Sequence, residues 1–185
     1  MSDPFPLASK RRRRPEEGEV EVFVADEQAA HPVDTNRWRR LAQAVLEAEG
    51  VQGDAELSIL FVDATAIADL NERFMDEAGP TDVLSFPLEE DLGGQGRWPD
   101  GGTSGPDPSR SEPGDPPLLL GDVVICPEVA ARNAPAREGN YEDELALLIV
   151  HGILHVLGMD HSDPDEAAAM QARERELLAR FHRQT

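Results

Sequence analysis

The chain has one cysteine, one lysine and few aromatic side chains, and its cations are far outnumbered by acids. A lone thiol, Cys126, excludes an internal disulfide and fits a reducing, cytoplasmic setting. It follows Val123, Val124 and Ile125, a context that predicts a buried structural thiol rather than a nucleophile. No apolar run approaches the ~18 residues of a membrane-spanning helix. The opening residues, Met1 to Pro6, lack the apolar stretch of a secretory signal. No internal repeat is present. Lys and Arg total 17 against 37 acids, for a net charge of −20. Five of those cations sit in Lys10–Arg14, so residues 16–185 carry 12 basic and 36 acidic groups, net −24. Charge alone therefore argues against a polyanionic partner, whose phosphates are normally met by Lys and Arg. Arg37, Arg39 and Arg40 offer only a local cluster on the first helix.

Histidine is also scarce, with five in the chain, yet three of the five fall between positions 151 and 161. His151 and His155 follow an apolar, helical run, Tyr141 to Val150, read here as amphipathic. Their i, i+4 spacing puts both imidazoles on one helix face, about a turn apart. Gly158 stands where a helix end favours positive φ, which lets the chain double back and return His161 to the same point. Three imidazoles without a fourth protein ligand describe a catalytic zinc site, one ion per chain, with an open position for water. The same spacing occurs in metzincin proteases, where a glutamate after the first histidine activates the zinc-bound water. Gly152 stands there in this chain, so the general base is unidentified and peptide hydrolysis is disfavoured.

Residues 1–18 are polar and aperiodic and predict a disordered tail, its basic run either a solvated charge cluster or an RNA tether. Val20, Val22 and Val24 alternate as a strand buried on one face. Asp34 or Thr35 caps a helix with Trp38, Leu41, Ala42, Val45 and Leu46 on one stripe, ending at Gly50. Leu57 to Val62 is apolar on both faces, as in a central strand, and strand–helix–strand implies a parallel crossover. A second helix over about Thr65–Asp76 turns Ile67, Leu70 and Phe74 inward and stops at Gly79-Pro80. Val83–Leu88 and Leu118–Ile125 read as strands joined by a Gly-, Pro- and Asp-rich insertion at about 89–117. Asn140 caps the histidine helix. Asp163, Pro164 and Glu166 open a last helix with Met170, Leu177, Leu178 and Phe181 inward. The expected fold is α+β, a single domain over about 19–183: a four-stranded mixed sheet packed by about four to five helices, with the metal-binding helix central.

His151-Gly-x-Leu-His155-x-Leu-Gly158-x-Asp160-His161 resembles the signature of the YbeY family of bacterial endoribonucleases. Pro80-Thr81-Asp82-Val83-Leu84-Ser85-Phe86-Pro87 and Leu120-Gly121-Asp122-Val123-Val124-Ile125-Cys126-Pro127 agree with it, as does Leu70-Asn71. The match runs from about Val20 to Phe181. The resemblance implies a zinc-dependent, single-strand-specific endoribonuclease acting in 3′-end maturation of small-subunit (16S) rRNA and in late-stage ribosome quality control. Its partners would be single-stranded rRNA and the ribosome or small-subunit precursor, without a membrane. It names Thr81, Asp82 and Ser85 as cleft residues. Asp160, beside His161, is a candidate for orienting a ligand imidazole. Where the family carries an arginine implicated in activity, this chain has Met75; Arg73 is close in sequence but about 200° around the helix. Two other readings stay open: a zinc metallopeptidase, and a non-catalytic ribosome-assembly factor with a structural metal.

Overall fold

A computed structural model describes residues 20–88, 117–137 and 139–183. The basic tail and almost all of the insertion expected at 89–117 lie outside these residues. Four strands form one sheet: β1 (Val20–Asp26), β2 (Ala55–Phe61), β3 (Val83–Pro87) and β4 (Leu118–Ile125). Their spatial order is β1-β2-β4-β3. β1 and β4 each pair parallel with β2, and β3 pairs antiparallel with β4. β2 is thus a central strand, as expected, and its two faces meet different cores, one face fully buried and the other partly so. Leu57, Ile59 and Phe61 enter the main core, whereas Leu60 packs against a smaller one on the opposite face.

The main core lies between the sheet and three helices, α1 (Thr35–Ala48), α4 (Tyr141–Val156) and α5 (Pro164–Phe181). Asp34 caps α1 by accepting from Arg37 N, and the five expected apolar residues of that helix are all buried. The smaller core sits under α2 (Ala64–Met75) and α3 (Pro127–Asn133) and is built on Ile67, Leu84, Val124, Cys126 and Val129. Cys126 is fully buried, and that burial raises its thiol pKa, which suits a packing role.

Three readings need correction. Phe74, expected inward, is exposed at the end of α2 and meets Phe86 edge-on. Its helix itself ends where expected, at Asp76, which takes the left-handed conformation ahead of Gly79-Pro80. The short helix α3 was not foreseen, because the N1 proline that opens it sits directly after a strand. Finally, α4 is not amphipathic. Ten of its 16 residues are buried around most of its circumference, as befits a helix enclosed by β3, β4, α1, α3 and α5.

Candidate metal centre

α4 enters the core by a reciprocal cap. Asn140 Oδ1 accepts from Asp143 N at 2.8 Å, and the Asp143 carboxylate accepts from Asn140 N at 3.3 Å. Its exit is equally determined. Gly158 has φ +97°. Gly158 N donates to His155 O and Met159 N to Leu154 O, each at 2.9 Å. That is the paired bond pattern by which a glycine in the left-handed region closes a helix. Met159 tucks into the core behind the turn, and the chain reverses to bring His161 against the helix. Asp160 fixes this return at the backbone: its carboxylate accepts from His161 N at 2.7 Å and from Ser162 Oγ.

The structure brings all three histidines together. One nitrogen from each of His151, His155 and His161 lies within 4.8 Å of the others. Nε2 of His151 and Nε2 of His155 are 3.1 Å apart. Nitrogens that share an ion at ~2.0–2.1 Å lie roughly 3–4 Å from one another, so the spacing suits a small metal ion. His155 is half-buried. Burial first, and then the neighbouring His151 and His161, hold its pKa below the ordinary histidine value. It therefore favours the neutral form that ligates metals.

A ring partner for the cluster comes from α5. Glu174 Oε1 is 2.6 Å from His151 Nδ1. A carboxylate only accepts, so Nδ1 carries the proton and Nε2 presents its lone pair to the other histidines. Glu174 is buried despite its charge. Among the described residues it is Glu174 whose carboxylate meets a ring of the cluster, whereas Asp160 meets the backbone of His161. The sequence held a signal for it: Glu174 lies four residues after Met170 and three before Leu177, on the inward stripe of α5, where an acid is out of place unless it has a partner.

His151, His161 and Glu174 line an open cavity of about 500 Å³, together with Asp82, Arg137 and Gln171. Asp82 is braced there. Its Oδ1 accepts from Val83 N at 2.9 Å, and Asn133 Nδ2 donates to Oδ2 at 3.3 Å. Thr81 touches Asp82 at 3.5 Å. Ser85 plays a different part, donating to Gly152 O at 3.2 Å and so tying β3 to the histidine helix. Met75 and Arg73 sit exposed at the end of α2, the Arg73 guanidinium over the Phe74 ring, and neither is among the residues lining the cavity.

Gly152 is a packing requirement. A Cβ there would come 2.5 Å from Cγ1 of Val123, 3.2 Å from its Cγ2 and 3.3 Å from Ser85 Oγ. Val123 is fully buried and β-branched, with little room to yield. A glutamate in the metzincin position would require α4 to leave the sheet. Gly121 obeys the same logic in β4. It has φ +148° at an irregular step in the β2–β4 register, and a Cβ there would lie 2.4 Å from Phe86 O.

The sequence model of a family described as Endoribonuclease YbeY matches residues 23–182, a span that holds both strand motifs, the histidine cluster and Glu174. The chain belongs to the YbeY family. The Endoribonuclease YbeY of Thermobifida fusca (strain YX) is 47% identical over 89% of this chain and 96% of its own length. That of Beutenbergia cavernae is 48% identical over 80% of this chain and 89% of its own. That of Salinispora tropica is 42% identical over 86% and 95%. A solution structure from Thermotoga maritima shares the fold, with a TM-score of 0.50 and 21% identity over 86% of this chain and 91% of that one. No helix among the described residues is long and apolar enough to cross a membrane.

Proposed function

We propose that this protein is a zinc-dependent endoribonuclease that cleaves single-stranded RNA in maturation of the 3′ end of small-subunit rRNA and in ribosome quality control, in the cytoplasm. Membership of a family named for endoribonuclease activity supports the reaction class. The observation that carries the reading is the three-imidazole cluster, of which His151 and His161 line an open cavity, with no carboxylate or thiolate of the described residues completing it. An all-nitrogen set of three suits zinc with one position free for a reactant.

His151, His155 and His161 would hold the ion, and Glu174 orients the His151 ring toward it. Bound there, zinc would supply a Lewis acid able to polarise a phosphoryl oxygen or to lower the pKa of a water toward ~7. The chain contributes position and electrostatics. The capped and tightly closed ends of α4 fix two imidazoles on a rigid helix. The Asp160 turn fixes the third, and the cavity admits a strand at the exposed His161.

The peptidase reading loses its support at Gly152, where Val123 leaves no space for the glutamate that chemistry uses. A purely structural zinc is disfavoured by the open side of the cluster, since structural sites are closed by four ligands. Metal analysis combined with cleavage assays on a single-stranded rRNA fragment and on casein tests all three. One zinc per chain with RNA cleavage alone is the expected result. Casein cleavage, or zinc without any cleavage, would overturn it.

A further inference from the structure

Arg137 stands out among the described residues that line the cavity. It carries the one guanidinium or ammonium group among them, in a protein whose body is strongly acidic. It ends a short 3-10 turn, Ala134–Arg137, that follows α3. Two carboxylates from different elements hold it. Nη1 donates to Glu144 Oε1 on α4 at 2.8 Å, and Nη2 lies 3.8 Å from Asp82 Oδ2 before β3. Asp82 is itself fixed by Asn133 on α3. Glu144 is almost fully buried; burial pushes its pKa up, and the Arg137 charge works against that rise.

A buried acid alone accounts for a neighbouring cation, but not for the remainder of this guanidinium. Its side chain is 47% exposed. Nε makes no hydrogen bond among the described residues, and Nη2 reaches Asp82 only beyond hydrogen-bond length. A guanidinium has five donors in a planar fork suited to phosphate oxygens. Here one edge is spent on Glu144, while the group itself forms part of the wall that also carries His151 and His161. Anchored cations in that position cost a ligand little ordering entropy.

We propose that Arg137 binds a phosphate of the RNA strand held at the histidine cluster. This rests on the endoribonuclease reading and deepens it. Asp82 and Glu144 are then positioning residues. They hold the fork at the cavity wall, and Glu144 sets its orientation through Nη1.

The test uses the zinc-loaded full chain and a single-stranded rRNA oligonucleotide. It compares wild type, Arg137→Gln, Arg137→Lys and the double variant Arg137→Gln/Glu144→Gln, in which no buried charge is left without a partner. Binding and single-turnover cleavage are read against salt, alongside Tm. Loss of one phosphate contact should lower the log–log salt slope of binding by about 0.7 for a single strand. It should also slow cleavage by roughly 10- to 100-fold, as expected for a hydrogen bond to a charged group. Arg137→Lys should keep the slope and lose part of the rate. The double variant should recover Tm but not slope or rate. Wild-type slope and rate in the double variant would make Arg137 only the counter-ion of Glu144 and overturn the proposal. If wild type neither binds nor cleaves the strand, the endoribonuclease reading fails and takes this proposal with it.

Discussion

Two residues on α4 and α5 set what the histidine cluster can do. Glu174 acts through His151, and its removal should be felt in metal binding before anything else. Partners of ligand imidazoles typically contribute 10- to 100-fold in affinity. Glu174→Gln should weaken zinc binding by about that factor while leaving one equivalent bound at saturation. Competition with a chromogenic chelator measures it, and an unaltered affinity would mean that the 2.6 Å contact does not orient the ring. Gly152 acts through packing. Gly152→Ala gains about 1 kcal/mol in helix propensity, but a Cβ placed 2.5 Å from a buried valine methyl cannot be relieved by turning a flexible side chain. Overpacking of this kind costs roughly 1–3 kcal/mol. A net fall in Tm of a few degrees is expected for a chain of this size. A rise in Tm on thermal melting would contradict the tight approach of α4 to β4.

At the scale of the element, α4 depends on its ends. Asp143 closes the capping box and also pairs with Nε2 of His182 at 2.7 Å, joining the start of α4 to the end of α5. The His182 hydrogen bond, followed by the bond from Asn140, holds the Asp143 pKa below its ordinary 3.8. A depressed carboxylate stabilises the fold fully above its unfolded value, and that contribution is lost as the pH falls through the lower folded one. Asp143→Asn should therefore lower Tm at neutral pH, and the gap from wild type should close as the pH drops below 3.8. A gap of constant size across that range would show that the charge of Asp143 is irrelevant to the helix junction. The ends of elements were also where the sequence was most readable. Asp34, Asn140 and Asp163 cap their helices as their side chains predict, and Gly158 takes the positive φ its place demands. These are local effects of one side chain on nearby backbone amides. Phe74 shows the opposite case, since its helical spacing was right while its ring, edge-on to Phe86 of β3, stays exposed.

For the whole molecule, the strand set, the mixed sheet and the meeting of three histidines were legible because each follows from periodicity, or from a spacing within eleven residues. The surroundings of the cluster were not. Glu174 and Arg137 reach the cavity from separate elements, 23 residues after and 14 before His151. Asp82 arrives from the β3 side, and only the fold brings these together. Burial also hid the role of Gly152: nothing in a histidine motif says that a valine on β4 will fill the space beside it. The acidic net charge is silent on local detail too, because a total cannot reveal one guanidinium held at a cavity wall by two carboxylates.

The central claim is that one metal ion on His151, His155 and His161 makes this fold an RNA-cleaving enzyme. Chelator-stripped protein should be titrated with zinc while single-turnover cleavage of a single-stranded rRNA fragment is followed, in wild type and in His155→Ala. Cleavage should be absent without metal and rise linearly to a plateau at one equivalent per chain. His155→Ala should stay near background across the same titration. Metal-independent cleavage, or wild-type rates from His155→Ala, would contradict the account.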